Sequence, residues 1–177
     1  HPQIKLFENS DNLGMMENFE KGLNNVEEGY VIVLGGDDGL IPNSLTVMNK
    51  LINDSKSPVI TWPTCTFFYP GTKMSTGQLI FNIEKKGGKN QWKWIQSNDY
   101  LSRQSNELFY VSDIETPMIY VKGIASIETI KEIKKKSPNN TFYQCSTPDG
   151  YSGIVLAGHL EKFVFYSTPL SLHGVSP

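Results

Sequence analysis

Two adjacent carboxylates, Asp37 and Asp38, follow the apolar run Tyr30-Val31-Ile32-Val33-Leu34 and stand between glycines, Gly35-Gly36 before them and Gly39 after. Ionised groups at the end of a buried strand must be solvated, paired or bound to a cation. Two acids beside flexible glycines would suit a divalent metal and the phosphates it carries. The same residues also suit a plain strand-to-helix turn. Asp and Gly dominate turns, and Pro42 fits the first turn of a following helix. Residue types alone leave both readings open, so the surrounding elements must decide.

Those elements can be read from apolar spacing. Ile4 to Phe7 looks like a short strand. Leu13, Met16, Phe19, Leu23 and Val26 fall at helical intervals, which predicts a helix from about Gly14 to Val26. The strand Tyr30–Leu34 follows after a short connection. Together these form an expected β-α-β unit with parallel strands. Pro42 opens a second helix with Leu45, Met48, Leu51 and Ile52 on its inner face. Pro58–Trp62 reads as a strand, Pro117–Val121 as another, Ser126–Lys135 as a helix, and Thr141–Gln144 as strand-like. Tyr151–Lys162 reads as a helix with Ile154, Val155, Leu156 and Leu160 buried, and Phe163–Tyr166 as a last strand. The alternation implies an α/β sandwich, a mainly parallel sheet flanked by helices. In such folds ligands bind at the carboxyl ends of strands, where Asp37 and Asp38 stand.

The stretch 63–113 differs in character, being rich in aromatics, Gly, Ser and Asn. Strands at Phe67–Tyr69 and Gln78–Ile83 and an exposed turn at Glu84–Lys89 fit its pattern. It reads either as an insertion covering a cleft or as a plain structural meander.

Bulk properties narrow the function classes. The chain has 177 residues, of which 38% are hydrophobic and 19% charged, so one folded domain with a core is expected. A net charge of -2 argues against a nucleic-acid surface driven by bulk charge. The basic run Lys131–Lys136 suits a helix C-terminus facing solvent. Cys65 and Cys145 have no metal-like spacing and read as reduced structural thiols. No apolar run approaches the roughly 20 residues of a membrane span.

Several spaced motifs resemble the family-2 glycosyltransferases of GT-A fold. They are Asn12-Leu13-Gly14 through Asn18-Phe19-Glu20, then Glu28-Gly29-Tyr30-Val31-Ile32, then Asp37-Asp38-Gly39-Leu40-Ile41-Pro42. Downstream, Phe142, Thr147-Pro148-Asp149-Gly150-Tyr151 and Pro169-Leu170-Ser171-Leu172-His173-Gly174 resemble a bacterial polysaccharide-type branch. The likeness covers most of residues 1–177 as a single domain and is weakest over 63–113.

The resemblance implies an inverting transfer of a sugar from a nucleotide-diphosphate donor to a saccharide or lipid-linked acceptor. Asp37 and Asp38 would hold Mg²⁺ or Mn²⁺ on the diphosphate, with His173 as a further candidate near the metal. Asp149 falls where inverting members carry a general base, and a helix-start or turn role is the alternative. Asn12 would border the nucleotide or simply fix its loop. Trp62, Trp92 and Trp94 could stack on an acceptor sugar, though core packing suits Trp62 better. His159 reads as structural. The expected workplace is the cytoplasmic side, with peripheral contact at the inner membrane face left open, as is self-association.

Two departures qualify the likeness. Gly35 stands where an acid is usual. The leading segment that reads the nucleobase has no counterpart before His1, so the chain is expected to be a piece of a longer domain. A non-catalytic carbohydrate- or nucleotide-binding module of the same fold is the alternative function. A sugar nucleotidyltransferase is a third, disfavoured because no Gly-rich basic phosphate loop is present.

Overall fold

The computed structural model of the chain describes residues 3–72, 77–81, 91–107 and 113–177. In chain order the helices are α1 (Gly14–Leu23), α2 (Ser44–Ser55), α3 (Ser97–Glu107), α4 (Ile127–Lys136) and α5 (Pro148–His159). The strands are β1 (Tyr30–Val31), β2 (Gly39–Leu40), β3 (Val59–Thr61), β4 (Thr64–Phe68), β5 (Gln78–Phe81), β6 (Trp92–Gln96), β7 (Gly123–Ser126), β8 (Lys162–Tyr166) and β9 (Ser171–Val175). They form a five-stranded sheet ordered β1-β7-β3-β8-β6 and a four-stranded sheet ordered β2-β9-β4-β5.

The mainly parallel sheet expected from the alternation is not what forms. In the larger sheet only β3 and β8 run parallel; β7 is antiparallel to both β1 and β3, and β6 to β8. In the smaller sheet β4 and β9 are parallel, while β2–β9 and β4–β5 are antiparallel. Both sheets are mixed.

The cause lies at two places. Ile4–Phe7 forms no strand, and Ile4, Leu6 and Phe7 are exposed. A strand is stable only when paired, so the expected opening β-α-β unit is absent among the described residues. The second place is the segment 117–121, which makes only one bridge, Val33 to Tyr120. The chain then turns at Val121, whose φ is +62°, and pairs from Gly123 onward as β7. Gly123 permits the close approach: a Cβ there would lie 2.5 Å from the Met118 carbonyl oxygen and 3.1 Å from that of Ile60.

The larger sheet is buried on both faces, and residues alternate between two apolar clusters as strand geometry requires. Val59, Ala125, Phe163 and Phe165 point into one cluster with Leu23, Ile127, Ile130, Ile133 and Leu156 from the helices. Ile60, Ile124, Val164 and Tyr166 point into the other, with Met48 and Leu51 of α2 and with Trp62 and Leu170. A strand buried on both sides must be apolar throughout, which is why β3 and β8 read as continuous apolar runs.

Helix bounds follow local chemistry. α1 stops at Leu23, short of Val26, where Asn24 and Asn25 follow Gly22. α4 is capped by Ser126, whose side chain accepts from the Thr129 amide, as an N-cap should. α2 buries Met48 and Leu51 but leaves Leu45 68% exposed, and α5 likewise leaves Ile154 exposed. Thr141–Gln144 is not a strand: the amides of Phe142 and Tyr143 donate to Glu20 Oε2 instead of to a neighbouring strand.

Of the stretch 63–113, β4 and β5 belong to the smaller sheet, β6 to the edge of the larger one, and α3 packs against α5. The predicted turn at Glu84–Lys89 and the end of the Gln78–Ile83 strand lie outside the described residues. Both thiols are free; Cys65 is buried and Cys145 is exposed.

Candidate functional site

The acidic pair sits where the chain leaves β1 and enters β2, against the C-terminal half of β9. β2 and β9 are only two residues deep in their pairing, Gly39 with Leu172 and Leu40 with Ser171. Side chains continue the junction where the ladder ends. Asp38, whose side chain has no exposure, accepts from the Gly35 amide at 2.7 Å and the Gly174 amide at 3.0 Å. It also meets His173 Nδ1 at 3.2 Å. A carboxylate offers about four acceptor positions, so Asp38 has little capacity left for a ligand. Because a carboxylate only accepts, Nδ1 of His173 carries the proton, and Nε2 is the nitrogen that can accept or coordinate.

Asp37 is different. It is half-exposed, and its Oδ2 accepts from the Ser176 hydroxyl at 2.9 Å. That hydrogen bond, reinforced by Asp37's own backbone, holds its carboxyl below the usual range. The Asp37 carbonyl accepts from Tyr69 at 3.2 Å. It also packs so closely on Gly174 that any Cβ there would overlap the carbonyl and come within 2.9 Å of Asp37 Cβ. Position 174 therefore has to be glycine for this junction to close.

Tyr120 connects this corner to α1. Its ring stacks on Phe19 with centroids 5.9 Å apart and planes 23° from parallel. Burial, then the charges of Asp38, Asp37 and Asp149, push its phenol up to about 12, so it stays a proton donor. The backbone beside it is strained. A β-branched residue at φ +62° costs on the order of 1–3 kcal/mol. Four hydrogen bonds hold the turn: Lys122 N to Tyr120 O at 2.7 Å, Val121 N to Val33 O at 2.9 Å, Trp62 N to Lys122 O at 3.0 Å, and Ser171 Oγ to Val121 O.

Asp149 occupies the first turn of α5, directly after Pro148. Its backbone carbonyl accepts from Ser152, while the N-cap position, Thr147, makes no side-chain cap. The Asp149 charge is felt by both Tyr120 and Tyr143, raising the two phenols. The charges of Asp37, Asp38 and Asp149 thus all bear on the Tyr120 phenol, and His173 joins them through Asp38.

Asn12 does not join them in the same way. Its Oδ1 accepts from the Gly14 amide at 3.0 Å, fixing the entry to α1. His159 pairs with Glu132 at 3.1 Å, tying α5 to α4. Trp62 is fully buried and donates from Nε1 to Ser171 at 2.7 Å. Trp92 and Trp94 lie edge to face on β6, 6.2 Å apart, with the Lys162 ammonium 4.6 Å over Trp94. Tyr120, Ser176 and Gly174 were absent from the sequence reading as site residues. Only Gly35, by lacking a side chain, hinted that a group from elsewhere fills that space.

Among the described residues no group of three or more His, Cys, Asp and Glu side chains is disposed to hold a metal ion. The donors left over are the Asp37 carboxylate and His173 Nε2. That set fits Mg²⁺ or Mn²⁺ only as part of a shell, since these cations are commonly bound by one or two carboxylates, with water and phosphate oxygens completing the coordination. No helix among the described residues is long and apolar enough to cross a membrane. Comparison with protein-family models finds no match, and a search of curated proteins finds no similar sequence.

Proposed function

We propose that this chain carries the donor-side half of an inverting glycosyl transfer, moving a sugar from a nucleotide diphosphate to a saccharide or lipid-linked hydroxyl. The observation that carries the reading is that the charges of Asp38, Asp37 and Asp149 all bear on the Tyr120 phenol. An inverting transfer needs its base and its diphosphate-binding acid on one cleft, and the bearing of these charges on one phenol supports that reading.

In this reading Asp149 takes the proton from the acceptor hydroxyl as its oxygen attacks the anomeric carbon. The bond from that carbon to the diphosphate oxygen breaks on the opposite side, inverting the centre. Asp37 and His173 Nε2 would hold Mg²⁺ or Mn²⁺, which when bound neutralises charge on the departing diphosphate. Asp38 keeps His173 oriented through Nδ1, the role a carboxylate plays behind a coordinating histidine. The cytoplasmic side, where nucleotide sugars are made, is the proposed workplace, with contact at the inner membrane face included.

The second reading is a non-catalytic carbohydrate- or nucleotide-binding module. The short supply of free metal donors favours it. Calorimetric titration of nucleotide-diphosphate sugars with and without Mn²⁺ separates the two, alongside Asp37→Asn and Asp149→Asn. A transferase shows Mn²⁺-dependent binding that Asp37→Asn abolishes, and donor turnover that Asp149→Asn abolishes without loss of donor binding. Binding without turnover in the unsubstituted chain supports the module. No metal-dependent binding of any nucleotide sugar overturns the transferase reading.

A further inference from the structure

A cavity of about 630 Å³ lies between α1 and the segment 139–144. That is within the range of small-ligand cavities, about 300–1,000 Å³. None of Asp37, Asp38, His173 and Asp149 lines it. Its lining includes the buried Glu20, whose Oε2 accepts from the Phe142 and Tyr143 amides at 2.9 and 3.0 Å. Glu20 Oε1 accepts from the Lys134 ammonium at 2.6 Å. A carboxylate offers about four acceptor positions, so one remains on Oε1.

Three amide side chains of the lining are oriented by partners that only one end of an amide can meet. Asn24 Oδ1 accepts from Lys134, which turns its NH₂ end away from that ammonium. Asn25 Nδ2 donates to the Lys21 carbonyl at 2.7 Å. Gln144 Nε2 donates to the carbonyls of Pro138 and Thr141 at 3.1 and 3.0 Å. Asn25 Oδ1 and Gln144 Oε1 are left as acceptors, and Asn24 Nδ2 as a donor. Tyr143 adds a second donor, since burial and the Glu20 charge raise its phenol and keep it protonated.

Charge and shape narrow the ligand. Glu17 and Glu20 are matched by Lys21 in the lining and by Lys134 on Glu20, so a charged ligand gains no net attraction. An anion would need donors alone and a cation acceptors alone, whereas a hydroxyl both donates and accepts. Phe7 also lines the cavity and is 54% exposed. The chain beside it is tied to α1: Lys21 Nζ donates to the Glu8 carbonyl at 3.1 Å and to Asn9 Oδ1 at 2.5 Å, and Asn9 Nδ2 to Asn18 at 2.8 Å. An exposed ring anchored at a polar cavity offers an apolar face to the C–H side of a sugar ring.

We propose that this cavity is a binding site for a neutral saccharide, with Phe7 as its platform and Glu20, Asn24, Asn25 and Gln144 meeting the hydroxyls. The site needs no metal and does not rest on the donor-site reading above. It is a neighbour of the acidic corner, because Phe19 meets Tyr120 at 5.9 Å and Tyr143 at 5.8 Å.

The test titrates maltose, cellobiose and lactose separately into the full chain with a chelator present. Heteronuclear NMR follows the side-chain amides of Asn24, Asn25 and Gln144. At least one sugar shifts these resonances saturably, while glycylglycine and glutamate do not. Phe7→Ala and Gln144→Leu each weaken that sugar about tenfold, the scale of one lost contact. Phe7→Trp, which keeps the platform, retains the affinity.

Three sugars that leave the amides unmoved overturn the proposal, as does a shift that glycylglycine reproduces. Unchanged affinity in Phe7→Ala also overturns it. Phe7 lies outside every described helix and strand, so that variant decides even if Gln144→Leu disturbs the turn that Gln144 braces. Saccharide binding, beside failure of every nucleotide sugar to bind with Mn²⁺, removes the donor reading and leaves this site standing. The converse result removes this site alone.

Discussion

The two sheets are held by different physics. In the five-stranded sheet, Val59, Ile60, Phe163 and Val164 have no exposure, and apolar residues on both faces supply the cohesion. Apolar burial has no direction and is shared by many groups, so no single contact dictates the arrangement. In the four-stranded sheet the decisive junction is between β2 and β9. It is made by single atoms: Asp38 on two glycine amides, Asp37 on Ser176, and a carbonyl pressed on Gly174. The larger sheet tolerates variation in its parts, whereas the smaller depends on particular ones. The acidic pair and His173 lie at the intolerant junction, whereas Asp149 stands on α5.

The largest expected effect tests the first half of that contrast. Phe163 is fully buried and meets Tyr100 edge to face at 5.7 Å. Phe163→Ala should cost about 3–5 kcal/mol in a denaturant melt, with protection lost across both sheets together. A loss confined to one sheet would show that the larger sheet is not the common support.

Gly174→Ala comes next, at about 1–3 kcal/mol, because backbone must move to admit the methyl group. Its signature should be local: faster amide exchange in β2, β4 and β9, with β3 and β8 protected as before. Uniform loss would erase the distinction between the sheets. Asp38→Asn should cost about 1–2 kcal/mol, since the amide turns an N–H toward groups that themselves donate. Differential scanning calorimetry reads this directly, and a neutral result would make the Asp38 bonds incidental.

One effect is read as a slope. Lys122 lies buried near the seam of the two sheets, its ammonium donating to the Asp113 carbonyl at 3.0 Å. Burial lowers its value from 10.5 to about 8, opposed by Asp113 and Glu115. Between these values the unfolded chain binds the extra proton, so stability should rise with pH from about 8 towards 10.5. Below about 8 both states are protonated and this contribution is flat. Above pH 10 the tyrosines raised by burial, including Tyr30, Tyr100 and Tyr120, reverse the trend, because the unfolded chain ionises first. Lys122→Met should remove the rising limb and keep the falling one in melts across pH.

What could be read from the sequence follows the same divide. α1, α2, α4 and α5 announce themselves because a helix needs only its own spacing to define an inner face. β3 and β8 are visible as apolar runs because both their faces are covered. β7 was hidden behind Val121, since no local signal tells that a β-branched residue will adopt a positive φ. β9 contains Ser171, His173 and Gly174, chosen for contacts with distant atoms, and so reads as a motif rather than a strand. β6 did carry a signal, Trp92 and Trp94 on one side of an alternation, but its aromatics read as scattered. At the site, Asp37, Asp38 and His173 could be picked out by type. Their division of labour could not, because which carboxylate is saturated depends on His173 and the Gly174 amide, both remote in sequence, as well as on the nearby Gly35 amide.

The pairing of residues 37 and 38 with residues 173 to 176 also orders events in time. The acids leave the ribosome early, with β1, whereas their partners emerge only after β8 has been made. Long-range closure of this kind is slow relative to helix formation and to contacts between near neighbours. The apolar clusters can therefore gather while the acidic corner is still open, and β9 enters as the last strand, between β2 and β4. Until then Asp37 and Asp38 remain hydrated and inert. The candidate site is thus completed after the strands that support it, on a scaffold already in place.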